Sequence, residues 1–199
     1  MKNKIGVINY GIAGNIHSIK KAIERAGGDV LIISSPDDFQ NVDKVVIPGV
    51  GSFKDAMSEL ESDGFIDALQ TFDKPLLGIC LGMQILSTIG YEYGESNGLN
   101  FIQGEVRKMP IHDILPHVGF NTIDVLKPND ILKDLENEEF YFMHSYTLTN
   151  FHDVSSTSTY STYQFVSSIK KDNIYGVQFH PEKSRDAGIK LFRNFIELG

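Results

Sequence analysis

Cysteine is almost absent from this sequence, since Cys80 is the single one among 199 residues. A lone cysteine cannot form an internal disulfide, and its thiol is easier to keep reduced in the cytosol than in an oxidising compartment. The sequence also lacks a long apolar run, and its N-terminus lacks the apolar stretch and cleavage site of a signal peptide. We therefore expect a cytoplasmic protein with no membrane partner.

An excess of positive charge is lacking too, because the formal net charge is -8. This argues against a nucleic-acid partner, whose phosphates are bound mainly by Lys and Arg. The glycine-rich segment 11–15 lacks the Gly-x-Gly-x-x-Gly spacing of dinucleotide sites, and 48–52 lacks the Gly-Lys-Ser/Thr ending of a phosphate loop. The histidines show no metal-ligand spacing. We expect neither a cofactor nor a metal.

The first half of the sequence has the alternation of strands and helices that predicts an α/β fold with a parallel sheet. Ile16, Ile19, Ile23 and Ala26 share one helical face, and a second helical stretch covers 55–72. A further helix is predicted just after Cys80. Strands are predicted at 5–9, 30–34, 44–47 and 76–79.

The second half is richer in strand-like segments, with few helical repeats between them, which favours antiparallel pairing. A last amphipathic helix carries Ile189, Phe192 and Phe195 towards the C-terminus. The predicted strands are 102–109, 119–126, 140–148, 154–159, 164–169 and 174–179. We expect one domain over 1–199, with a mostly parallel central sheet flanked by helices and an additional antiparallel strand region.

A nucleophile motif follows the apolar strand 76–79. The segment Gly78-Ile79-Cys80-Leu81-Gly82 has a nucleophile between two glycines at a strand-to-helix turn, which is typical of a nucleophile elbow. A helix N-terminus there would favour the thiolate. A lone cysteine is more often a small buried hydrophobe, but the flanking glycines and the turn favour a catalytic role.

A base for this thiol is predicted near the end of the chain. Pro181 restricts His180 to extended conformations. On an extended chain Glu182 would lie on the same side as His180 and could hold its imidazole in the tautomer that accepts a proton. Taken alone, His180 is better interpreted as a surface histidine beside a solvated Glu-Lys pair. Together with the elbow, it predicts a Cys-His-Glu triad.

The glycine-rich loop after the strand 44–47 is a candidate oxyanion hole. Backbone amides of Gly49, Val50 and Gly51 could act together with the amide of Leu81. The alternative is a plain turn between a strand and a helix.

Three segments together resemble the class I, or triad, glutamine amidotransferases, which have a flavodoxin-like fold. They are Pro48-Gly49-Val50-Gly51, Gly78-Ile79-Cys80-Leu81-Gly82-Met83-Gln84 and Gln178-Phe179-His180-Pro181-Glu182-Lys183-Ser184. Segments 116–121 and 141–146 are similar to those of the glutaminase subunits of imidazole glycerol phosphate synthases. The resemblance spans nearly the whole chain.

The resemblance implies an enzyme that hydrolyses glutamine to glutamate and ammonia. Cys80 would be the nucleophile that forms a glutamyl thioester, with His180 as general base and Glu182 as its orienter. Residues implied to bind glutamine are Gly51, Gln84, Glu92, Ser145 and Tyr146.

The resemblance also implies a partner, a (β/α)8-barrel cyclase that forms a heterodimer with the glutaminase. Ammonia would cross the interface and react to give imidazole glycerol phosphate and a purine precursor in histidine biosynthesis. Phe120 stands where the family usually has Trp. Residues expected at the interface are Asn15, Pro116, His117, Gly119, Phe120 and Lys183.

Three alternatives remain open from the sequence. Paralogous subunits of this type supply ammonia to enzymes that modify sugars. Cysteine peptidases and other hydrolases on a similar α/β scaffold share the nucleophile elbow. A non-catalytic regulatory subunit would keep the same motifs as architecture.

Overall fold

The computed structural model describes residues 3–11, 15–49, 51–150 and 152–199. The α-helices are α1 (Ile16–Arg25), α2 (Phe53–Ser62), α3 (Phe65–Thr71), α4 (Leu81–Gln84) and α5 (Arg185–Glu197). Short 3-10 helices cover Pro36–Asn41, Asp130–Leu132 and Pro181–Lys183. The strands are β1 (Lys4–Ile8), β2 (Asp29–Ile33), β3 (Lys44–Ile47), β4 (Leu76–Ile79), β5 (Ile89–Gly90), β6 (Ser96–Asn97), β7 (Glu105–Lys108), β8 (His117–Thr122), β9 (Asp124–Val125), β10 (Glu139–His144), β11 (Tyr146–Thr149), β12 (Val154–Tyr160), β13 (Tyr163–Lys171) and β14 (Ile174–Val177).

The central sheet has the order β2-β1-β3-β4-β14-β13-β12-β9. Its first five strands are parallel, and the last three continue it in antiparallel fashion. Strands β3 and β4 are buried along their whole length, as expected for parallel strands covered on both faces. The predicted α/β fold class is confirmed.

Helices pack on both faces of this sheet through apolar stripes. On one face, α1 contributes Ile19 and Ile23 to the same buried cluster as Phe192 and Phe195 of α5. On the other face, α2 and α3 bury side chains that include Phe53 and Leu60. The spacing that predicted α1 is therefore the spacing that fills the core. No helix in the described ranges combines the length and apolarity needed to cross a bilayer.

The helical stretch predicted over 55–72 is two helices, α2 and α3, rather than one. Gly64 separates them with a φ of 74°, a left-handed conformation that glycine adopts without steric cost. Sequence periodicity continued through this position and therefore hid the break.

The strand predicted over 140–148 is also divided. Strand β10 pairs with β8 in a two-stranded sheet, whereas β11 pairs with β7 in a four-stranded sheet. Ser145 lies at the break, and its carbonyl accepts the Met109 N–H at 2.9 Å. The predicted strand 119–126 is likewise split into β8 and β9, and 102–109 shortens to β7. Ser145 and Tyr146, at this break, line the same cavity as Cys80 and His180.

Candidate active site

The candidate site lies where β3, β4 and β14 end at the same edge of the sheet. Parallel pairing aligns Ile47 with Gly78 and Ile79 with Val177. The Cys80 N–H continues this ladder by donating to the Val177 carbonyl at 2.7 Å. The glycine loop after β3, the thiol after β4 and the His-Pro-Glu segment after β14 therefore meet in space, although they are far apart in sequence.

The turn at Cys80 has the strained backbone of a nucleophile elbow. Its φ of 54° and ψ of -111° lie in a region that residues with a side chain rarely adopt. Gly82 is required beside it, because a Cβ there would lie 2.0 Å from the Ile47 carbonyl oxygen. Strain and close backbone approach at this turn agree with the elbow predicted from the sequence.

Helix α4, which follows the thiol, has only four residues. The prediction of a helix after Cys80 is correct in place, but a single turn has no long series of aligned peptide dipoles. The expected contribution of a helix macrodipole to the thiolate is therefore small, and other groups must supply most of the stabilisation.

His180 and Glu182 form a buried pair. The His180 Nδ1–H donates to Glu182 Oε1 at 2.8 Å, and the two side chains are 2% and 0% exposed. The reason given from the sequence was wrong, since the chain does not stay extended after His180. It turns into the 3-10 helix Pro181–Lys183, which brings the carboxylate back to the imidazole.

Asn15, which is predicted at a partner interface, also contacts this pair. Its side-chain amide donates to Glu182 Oε1, the same oxygen that accepts from His180. The half-buried amide thus helps to hold the carboxylate that orients the imidazole. Ile12, Ala13 and Gly14, which precede it, lie outside the described residues.

Electrostatics make His180 a strong base. Burial opposes its charge, but the neighbouring Cys80 and Glu182 outweigh burial and raise the pKa of His180 to about 10. Its Nε2 has no hydrogen-bond partner within the described ranges. The imidazole therefore has one nitrogen fixed by Glu182 and the other unpaired.

The sulfur of Cys80 makes its contacts elsewhere. Sγ lies 3.9 Å from the Met143 carbonyl oxygen and 3.6 Å from Gln178 Nε2. Cys80 and His180 line one cavity, and Nε2 of His180 is not hydrogen-bonded to the sulfur; hydrogen bonds between catalytic groups are often long without substrate and tighten when it binds.

A cavity of about 500 Å³ opens above the thiol. This volume accommodates an amino-acid substrate. The predicted residues among its lining are Gly49, Gly51, Cys80, Leu81, Gln84, Glu92, Ser145, Tyr146 and His180. Pro116, predicted at the interface, lines it as well, together with Tyr93, Lys108, Met143 and His144, which sequence reasoning did not assign to the site.

Glu92 is held on the cavity wall by one oxygen. Its Oε2 accepts the Phe53 N–H at 2.8 Å, at the start of α2. Burial raises the pKa of Glu92, the bond from Phe53 opposes this, and nearby Asp55 adds to the increase. Glu92 lines the cavity together with Tyr93, Lys108 and Tyr146.

The glycine loop packs directly on the elbow. A Cβ on Gly49 would lie 2.4 Å from the Gly82 nitrogen and 2.6 Å from the Leu81 Cβ. Tyr10 holds the start of this loop, because its buried hydroxyl donates to the Pro48 carbonyl at 2.7 Å. Val50, a candidate for the oxyanion hole, lies outside the described residues.

The residues predicted at the interface divide into buried and exposed ones. His117 is buried and stacks on Phe142 and Tyr160, with ring centroids 5.3 and 4.2 Å away. It therefore lacks the exposed side chain that a direct partner contact requires, because its ring completes an aromatic cluster. Gly119 is half-buried in β8 with a φ of 143°, whereas Phe120 and Lys183 are exposed.

His144, which sequence reasoning missed, is buried beside the site. Its Nδ1–H donates to the Tyr146 carbonyl at 2.8 Å. Burial lowers the pKa of His144 to about 3, opposed by the Tyr146 bond and assisted by His117 and His180. No group of three or more His, Cys, Asp or Glu side chains placed to hold a metal ion occurs in the part of the chain that the structure describes.

Known proteins share both the sequence and the fold of this chain. The model of the family described as glutamine amidotransferase class-I matches residues 7–198. The imidazole glycerol phosphate synthase subunit HisH 1 of Campylobacter jejuni (strain RM1221) is 43% identical, covering 98% of this chain and 100% of the relative. The corresponding subunit HisH of Desulfitobacterium hafniense (strain DSM 10664 / DCB-2) is 41% identical, covering 96% and 92%.

Solved structures agree with the fold. PurLQS from Thermotoga maritima superposes with a TM-score of 0.76 at 16% identity, covering 98% of this chain and 97% of that one. The glutaminase domain of CTPS from Trypanosoma brucei, with bound acivicin, gives a TM-score of 0.66 at 14% identity, covering 97% and 92%. At such identities the likeness concerns the fold alone.

We predict that buried His144 makes folding sensitive to acid. Its pKa is about 3 when folded and near 6.5 when unfolded, so the unfolded state binds the extra proton between these values. The free energy of unfolding should fall by up to about 1.4 kcal/mol per pH unit below pH 6.5 from this group. His180 adds no slope there, because it is protonated in both states below its ordinary pKa.

The check is urea denaturation at several pH values between 4.5 and 7.5. His144→Asn keeps a donor for the Tyr146 carbonyl but does not titrate, so its stability should vary less with pH than that of the unaltered chain. The exposed His112→Asn is the control and should keep the original slope. An equal slope in the His144→Asn variant would contradict the prediction.

Proposed function

This chain belongs to the class-I glutamine amidotransferase family, and from that premise we propose that it is the glutaminase subunit of an imidazole glycerol phosphate synthase, acting in histidine biosynthesis. The observation that carries the proposal is the cavity shared by Cys80, the His180–Glu182 pair and Glu92. A lone unpaired thiol supports a cytoplasmic location, which we also propose.

The cavity has the charges that an amino-acid substrate requires. Glu92 offers a carboxylate to the α-ammonium group of glutamine, and Lys108 offers a cation at the same cavity for its α-carboxylate. Both N–H donors of Gln84 are used on the protein, by the Tyr146 carbonyl and by Gln178 Oε1, which leaves only its Oε1 for substrate. That acceptor suits the N–H groups of a carboxamide.

The reaction proceeds in two balanced steps. The Cys80 thiol gives its proton to His180 and its sulfur attacks the carboxamide carbon, and the C–N bond breaks as the leaving nitrogen takes that proton and departs as ammonia. Water then gives a proton to His180 and attacks the thioester, the C–S bond breaks to release glutamate, and His180 returns the proton to the sulfur. Glu182 keeps the imidazole oriented through both steps, and amides of the elbow and the glycine loop stabilise the oxyanion.

An exposed surface on the β8–β10 pair is the proposed docking site for the partner protein. We define this docking surface by Val118, Phe120, Tyr141 and Met143, together with Lys183 and Arg185. The Arg185 guanidinium lies 4.3 Å above the Phe120 ring, and Lys183 Nζ lies 5.6 Å from the Tyr141 ring centroid. Apolar side chains framed by cations are typical of a protein interface rather than of a solvated face.

This surface is continuous with the cavity. Met143 contributes its carbonyl next to the Cys80 sulfur and is 37% exposed, and across the strand pair it faces Val118, which is 53% exposed. Ammonia formed at the thiol would therefore emerge under a partner bound here. We propose that this partner is a (β/α)8-barrel cyclase that consumes the ammonia.

The direct test measures glutamate formation from glutamine by this chain alone and with a barrel cyclase and its ribonucleotide substrate. We expect strong stimulation by the loaded cyclase, and a loss of at least about a thousandfold in Cys80→Ala, because the covalent step disappears. Glu182→Gln should lose less than Cys80→Ala, because the nucleophile remains. Normal hydrolysis by Cys80→Ala would refute the proposal, and an inactive but tightly bound chain would indicate a regulatory role.

The docking surface is tested with two matched substitutions. Val118→Glu places a carboxylate in its apolar centre and should weaken cyclase binding at least about tenfold by calorimetry, since a buried unpaired charge is costly. Leu126→Glu is the control, because Leu126 is also exposed, at 58%, but lies outside the β8–β10 pair. Equal binding by both variants would place the partner elsewhere.

A further inference from the structure

Gln178 is a buried amide directly beneath the thiol. It follows β14, is fully buried, and its backbone N–H donates to the Ser167 carbonyl at 2.9 Å. Its Nε2 lies 3.6 Å from Cys80 Sγ, within the range of an N–H···S hydrogen bond. A buried amide needs partners for both ends of its side chain, and here one of those partners is the reacting sulfur.

The orientation of this amide follows from hydrogen-bond polarity. The Tyr146 carbonyl can only accept, so the atom of Gln84 that lies 3.0 Å from it must be the amide nitrogen. The same nitrogen lies 2.9 Å from the Gln178 side chain, which must therefore present its oxygen. Gln178 is left with its N–H group directed at the sulfur. The Tyr146 carbonyl thus fixes the direction of a chain of hydrogen bonds that runs through Gln84 and Gln178 to the thiol.

The two polar contacts of the sulfur have opposite preferences. The Met143 carbonyl, 3.9 Å away, accepts from a thiol but repels a thiolate. The Gln178 N–H is closer, and its bond strengthens when the sulfur becomes charged. Helix α4 has a single turn, so its dipole contributes little to the thiolate. The N–H donor of Gln178 can supply stabilisation of the charged sulfur that the helix does not.

We propose that Gln178 is a positioning residue that donates its side-chain N–H to the Cys80 thiolate, and that Gln84 locks the direction of that donation. The inference deepens the proposed function and rests on Cys80 being the nucleophile. Its role is to fix the sulfur rotamer and to favour the charged form before glutamine binds. Gln84 thereby serves both the substrate and the nucleophile.

The test is alkylation of Cys80 by iodoacetamide as a function of pH, on the chain alone. The chain has one cysteine, so the rate reports this sulfur only. In Gln178→Met, which keeps the length but removes the donor, the rate at pH 7 should fall roughly tenfold and its pH midpoint should move up by about one unit. The nearby titratable groups, which are unchanged, are His180, His144, Glu92, Tyr93, Lys108 and Tyr146 at the cavity, together with Tyr10 and Glu182.

Two more variants keep the test decisive. Gln178→Glu preserves the shape of the side chain and still accepts from Gln84, but it presents an acceptor to the sulfur. The pH midpoint of alkylation should therefore move up at least as far as in Gln178→Met. Ser167→Ala removes a buried hydroxyl from the same sheet without a contact to Cys80 and should leave the midpoint unchanged. A Gln178→Glu variant that folds and alkylates like the unaltered chain would overturn the proposal.

Alkylation separates this inference from the proposed function. An unaltered midpoint in the Gln178 variants, with glutamine hydrolysis intact in the unaltered chain, would reject the role of Gln178 alone. Absence of glutamine hydrolysis even with the loaded cyclase, combined with a shifted midpoint, would leave the hydrogen bond in place and reject the function.

Discussion

The parallel pairing of β4 with β14 is the constraint on which the rest of the site depends. It aligns Ile79 with Val177, so that the first residue after one strand and the third after the other emerge side by side. The Cys80 N–H bond to the Val177 carbonyl fixes this register at the site itself. A shift by one residue would turn the side chains of β14 to the opposite faces of the sheet and separate thiol from imidazole.

Buried polar side chains then hold in place the thiol and the imidazole that this register brings together. Glu182 holds one nitrogen of His180, and Gln84 holds Gln178, so both reacting groups are supported by side chains that are themselves hydrogen-bonded. Such networks are costly when incomplete, because a buried donor or acceptor without a partner loses its solvation. Within this network of described residues, the Nε2 of His180 and the Oε2 of Glu182 stay without a partner, and Nε2 is the nitrogen that the proposed chemistry uses.

Much of this could be predicted from local sequence. Hydrophobic periodicity predicted the fold class, and the glycines around Cys80 predicted the elbow, because both are encoded by neighbouring residues. The contacts of Gln178 and Tyr10 could not be predicted, since each joins elements far apart in the chain. His117 stays a predicted interface residue, and the burial of its side chain could not be foreseen because motif position does not tell which face of β8 is covered. The extent of the domain, 1–199, stays a prediction.

An NMR titration of ¹⁵N-labelled histidine tests whether Cys80 and His180 act as one coupled pair. We expect His180 to titrate with a pKa of about 10, and Cys80→Ala to lower this pKa because burial is then opposed by Glu182 alone. A His180 that titrates near 6.5, unaffected by the loss of the thiol, would show that the two groups are independent.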